Sequence, residues 1–193
     1  MNLKKALYFI SLLLTFILFM PFQGRAQLIP YSGGQPRPGN HGPIITHAFA
    51  VEKGYYGYIW KIYLEAEDPD GNMLAIASSV DEVGYGYYPT DWIYLKSQYQ
   101  KHFKGFIQWN TFSTRSSYLP EWTQITVKVS VFDKAGNESN EVVFPFTFEI
   151  TPEQYGYKLS LPFDQGDLPR LGYVMIDLFY PGIGGYNGSG AMH

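Results

Sequence analysis

The chain has 193 residues, with 14 Lys and Arg against 17 Asp and Glu, no Cys, 20 Gly, 13 Pro and 18% aromatic residues. Without Cys there is neither a disulfide framework nor a lipid-modified cysteine, so the core must be held by packing alone. Many aromatics and turn formers describe an all-β chain rather than a helical bundle, and the acidic balance argues against a general affinity for nucleic acid, which needs clustered Lys and Arg.

The first stretch, MNLKKALYFISLLLTFILFMPFQGRA, sets Lys4 and Lys5 before an apolar run from Ala6 to Met20, with Gly24 and Ala26 placed for a small-residue cleavage site. Residues 1–26 are therefore expected to be a secretory signal peptide. The other reading is an uncleaved anchor, since the run extends to Phe22, still short of the roughly 20 apolar residues that comfortably span a bilayer. Removing Lys4, Lys5 and Arg25 from the 14 basic residues leaves 11 against 17 acidic, a net charge near −6. That argues against anionic membrane surfaces as well. No later segment is long and apolar enough for a second span, so the expected destination is secreted, periplasmic or cell-surface.

Residues 27–42, QLIPYSGGQPRPGNHG, lack periodicity and read as a flexible lead-in. A domain is expected over 43–150. PIITHAFAV (43–51) is a first candidate strand, and YIWKIYLEAE (58–67) alternates, with Trp60, Ile62, Leu64 and Ala66 on one face. Shorter strands are predicted at 73–80 and 92–96, separated by the loop DEVGYGYYPTD, and another at 103–112 with a bulge at Gly105. TQITVKVSVFD (123–133) has the strongest period of two, placing Ile125, Val127, Val129 and Val131 on a core face. EVVFPFTFEI (141–150) returns with Phe144, Phe146 and Phe148 together; Pro145, which has no N–H, predicts an edge strand or a bulge there. Trp109 and Trp122 read as core or near-core. About seven short strands without helical pattern between them describe a single antiparallel immunoglobulin-like β-sandwich. Residues 151–193 form a Pro- and Gly-rich extension, in which LGYVMIDLF (171–179) suits one more strand and the last residues a flexible tail.

EAEDPDGNM (65–73) and DKAGN (133–137) are the acidic turns. In a sandwich of this type they leave strands at the same end, so Glu67, Asp68, Asp70, Asn72, Asp133 and Asn137 are candidates for a calcium site, Ca²⁺ needing six to eight oxygen ligands at about 2.3–2.6 Å. An EF-hand is excluded because the twelfth position counted from Asp68 is Ser79. The competing reading needs no metal: Pro69 and Gly71 shape a tight turn whose backbone amides Asp68, Asp70 and Asn72 cap, and Asp133 with Gly136 and Asn137 makes a hairpin-type turn.

LEAEDPDGNM and VSVFDKAGNESNEVVF resemble the Ig-like and cadherin-like β-sandwich modules of bacterial secreted and surface proteins, in which A-x-D-x-D-G and D-x-A-G-N-x-S are recurrent loop signatures. The resemblance covers residues 43–150 and implies fold more than activity. It also implies that Asp68, Asp70 and Asp133 match positions that bind calcium between modules in relatives. This chain has one module and lacks the D-x-N-D-N linker of cadherins.

Catalytic patterns are sparse. His41, His47, His102 and His193 form no zinc motif, and there is no G-x-S-x-G elbow. Asp81, Glu82 and Asp91 could be paired for glycoside hydrolysis, as on any acidic surface. The chain reads as a non-enzyme. In GYGYYPTDWIY (84–94), Tyr85, Tyr87, Tyr88 and Trp92 fit a partner-binding platform or a cap over the open end of the sandwich. Two functions follow as expectations: a non-catalytic surface module contacting a protein partner or envelope component, and a carbohydrate-binding sandwich using the aromatic loop. A sugar platform needs coplanar exposed rings, whereas a protein patch tolerates tilted ones.

Overall fold

A computed structural model describes residues 27–29, 41–112, 123–149, 159, 161–164 and 166–178. The predicted signal peptide, most of the lead-in, Trp122 and the last fifteen positions lie outside the described residues. The described residues form eleven strand segments: β1 (Gln27–Ile29), β2 (Ile44–Phe49), β3 (Lys53–Gly54), β4 (Ile59–Glu67), β5 (Met73–Glu82), β6 (Gly86–Tyr87), β7 (Asp91–Tyr94), β8 (His102–Asn110), β9 (Gln124–Asp133), β10 (Glu141–Phe148) and β11 (Arg170–Val174). A 3₁₀ turn at Ser97–Tyr99 precedes β8. Among the described residues no helix is long and apolar enough to cross a membrane.

The strands form two sheets around one core. One runs β10, β9, β5, with β1 and β3 sharing the outer edge of β10 and β6 and β7 sharing that of β5; the other runs β11, β8, β4, β2. Consecutive strands β4 and β5, and likewise β8 and β9, lie in opposite sheets, so the central antiparallel pairs β4·β8 and β5·β9 interlock. The predicted purely antiparallel arrangement needs correction: β3 runs parallel to β10 and β11 parallel to β8.

Period-two burial explains the interior. Trp60, Ile62, Leu64 and Ala66 of β4 and Ile125, Val127, Val129 and Val131 of β9 face inward and are almost wholly buried. Trp60 lies 4.4 Å from Phe146, ring centre to ring centre, and 6.0 Å from Trp109. Both indoles satisfy their N–H in the process, Trp60 donating to the Val51 carbonyl at 2.9 Å and Trp109 to that of Ile176 at 2.8 Å.

Pro145 keeps its place in the ladder opposite Thr126, without a bulge. Thr147, of the same parity, turns its N–H outward to Glu52, so the missing donor of Pro145 points into the gap between β1 and β3. Gly105 is not bulged against β4 either, where it pairs with Leu64. Its lack of a side chain admits the Pro169 carbonyl and Leu171, and the irregular register falls on β11. The extension after residue 150 is part of the fold where it is described: Phe163 is buried against Tyr63 on the outer face of the four-stranded sheet (5.7 Å), and Leu171, Val174, Ile176 and Leu178 enter the core.

Candidate functional site

The two acidic turns do meet. Lys134 N–H donates to the Asn72 carbonyl at 3.0 Å, and Met73 pairs with Asp133. Their carboxylates are aimed at their own turns. Asp68, 1% exposed, accepts from Asp70 N–H at 2.9 Å and Asn72 N–H at 3.2 Å. Asp133 accepts from the backbone N–H and the side-chain amide of Asn137, each at 2.7 Å. Asp70 points elsewhere, taking the backbone N–H of His41 at 2.7 Å and lying 3.3 Å from its ring; the backbone bond, then the ring, holds its carboxyl below the ordinary value. Glu67 is exposed at the end of β4. The Asn72 side-chain oxygen is buried with no hydrogen-bond partner among the described residues. No group of three or more His, Asp and Glu side chains among the described residues is arranged to hold a metal ion. This geometry is that of mutually braced turns.

The aromatic loop divides. Tyr88 is buried and gives its hydroxyl hydrogen to Glu82, while Tyr85 stacks on it at 4.7 Å and 27°. Tyr87 and Trp92 remain 74% and 45% exposed, joined by Tyr94 of β7 at 69%. So the four predicted residues do not share a surface role: Tyr88 belongs to the core and Trp92 to a sheet face.

On that face lies a feature the sequence did not announce, a groove of about 140 Å³ on the outer side of the seven-stranded sheet. Its floor is made by small side chains in one cross-strand row, Ala77 lying between Trp92 and Ser130. Trp92 and Phe132 make an aromatic wall, rings 5.1 Å apart and inclined at 64°. Lys128, Glu138 and Glu141 make the polar wall, with Lys128 Nζ 3.7 Å from Glu141 Oε1. Period-two reading of β5 and β9 would have found the small outward residues, but which strands lie side by side is not written in a local pattern.

Two further polar arrangements were not anticipated. Asn140 accepts from Ile45 N–H at 2.8 Å and donates to the Ile45 carbonyl at 3.1 Å, standing in for a neighbouring strand and tying β2 to the approach of β10. Glu65 sits between His47 (3.2 Å) and His102 (3.3 Å) on the outer face of the four-stranded sheet. Compared with protein-family models, curated proteins and solved structures, the chain returns no match.

Proposed function

We propose that this protein is a non-catalytic, secreted or cell-surface immunoglobulin-like module that contacts a protein partner or envelope component through the aromatic edge formed by β6 and β7. The immunoglobulin-like reading draws support from the interlocked pairs β4·β8 and β5·β9. The surface reading draws on the signal-like N-terminal sequence.

The observation that carries protein contact is the cluster of exposed aromatic rings at this edge, Tyr87, Trp92 and Tyr94 at 74%, 45% and 69% exposure. The half-buried Phe132 braces Trp92 edge-on at 64°, and Tyr94 projects from the same strand as Trp92. Tilted, separated aromatics suit the interdigitated core of a protein interface, where Trp and Tyr supply most of the energy.

The test is site-specific photocrosslinking in cells that produce the protein. A benzophenone side chain replacing Tyr94 is expected to yield one discrete protein adduct, and the same probe replacing Lys104 on the opposite sheet face none. Identical adducts from both positions, or none from position 94, would overturn the reading. Protease shaving of intact cells checks the location, the protein being expected to disappear.

A further inference from the structure

We propose that the groove between Trp92 and the Glu138–Glu141 wall is a socket for a cationic side chain of the protein partner, arginine above all. The inference rests on the protein-contact reading and adds the chemistry that the contact recognises.

Four observations carry it. Trp92 is 45% exposed and its orientation is fixed by the edge-on Phe132 ring at 5.1 Å. An indole held in place is the best aromatic surface for a guanidinium or ammonium group. The polar wall carries two carboxylates, Glu138 and Glu141, against one ammonium, Lys128, so the groove is net acidic like the chain as a whole. Glu138 has no ion-pair partner among the described residues, and the Lys128–Glu141 pair is long at 3.7 Å, leaving both carboxylates able to receive a second cation. Finally, about 140 Å³ lies well below the roughly 300–1,000 Å³ of drug-sized ligand pockets, and its floor of Ala77 and Ser130 gives room for one side chain only.

The alternatives fit less well. An anionic group would face two carboxylates. A neutral sugar would meet rings inclined at 64° rather than a flat platform. Arginine matches both walls at once, since its planar fork stacks on an indole and pairs with carboxylates in the same pose.

The experiment is an NMR titration of residues 27–193 with acetyl-Gly-Arg-Gly-amide and with the same peptide carrying neutral citrulline. The Trp92 indole N–H and the backbone amides of Ala77 and Ser130 are expected to shift saturably with the arginine peptide. Citrulline should bind about tenfold more weakly, and added salt should weaken the arginine complex. The paired substitutions Glu138→Gln and Glu141→Gln are expected to lower affinity about tenfold with the melting temperature unchanged, because a surface ion pair contributes little to stability. Trp92→Ala should abolish the shifts at Ala77 and Ser130. Equal response to citrulline, no saturable response to arginine, or a response to methyl glucoside in its place would overturn the socket. An adduct at position 94 without arginine binding rejects the socket alone; failure of both rejects the protein-contact reading with it.

Discussion

Glu82 is 1% exposed at the end of β5, with one carboxylate oxygen taking the Tyr88 hydroxyl and the other buried without a partner among the described residues. Burial raises its pKa, opposed by the Tyr88 hydrogen bond. Between the ordinary carboxylate value and the raised one, the folded chain binds the proton more tightly than the unfolded chain, so this group's contribution to stability falls as pH rises through that window. Glu82→Gln, which keeps an acceptor for Tyr88 and removes the charge, should raise stability by about 1 kcal/mol at pH 7.5 and change it little at pH 4.5. Equal effects at both pH values, in paired thermal melts, would contradict this. Asp133 has a structural part instead, its two oxygens holding the backbone and side-chain amides of Asn137. Asp133→Ala is expected to cost about 2 kcal/mol by chemical denaturation. Millimolar calcium should leave the wild-type melting temperature unmoved; a rise that Asp133→Ala abolishes would assign the turns a metal role. The residues of EDPDGN and DKAGN were legible as turn formers from their chemistry. Their ambiguity was physical, because the oxygens that cap amides are the oxygens that bind calcium.

At the scale of elements, β4, β8, β9 and β10 were legible because each is long enough for period-two burial to repeat. β3 and β6, two residues each, carry no period, and β1 lies in a stretch that reads as linker. Gly172 shows what such patterns omit. A Cβ built there runs into the Cγ2 of Ile93, so β11 approaches β7 closely where the sheets' edges meet, and Met175 N–H bonds the Asp91 carboxylate at 2.9 Å beside it. Gly172→Ala should destabilise by about 2 kcal/mol through overpacking, measured by urea unfolding. A neutral result would mean that the two edges are free to separate.

The molecule as a whole draws on residues far apart in sequence. Trp109 bonds Ile176, 67 positions away, and β11 supplies the outer strand of the four-stranded sheet. LGYVM alternated well enough to suggest a strand, but nothing local named β8 as its parallel neighbour. Ending the chain at residue 169 should therefore leave the Trp109 N–H without its acceptor and uncover the core beside β8. The expected outcome is loss of a single cooperative melting transition, read by circular dichroism; a sharp transition at the full-length temperature would show that β11 is dispensable.

This placement also predicts an order of assembly. Both interlocked pairs use residues up to Asp133, whereas β11 pairs with β8 across a longer separation in sequence, so its docking is expected to come last. Trp109 stands at that junction, where its indole N–H takes the Ile176 carbonyl as acceptor. Protection of that indole N–H from hydrogen exchange is therefore expected to lag behind that of the amides in the β4·β8 and β5·β9 pairs when the chain refolds.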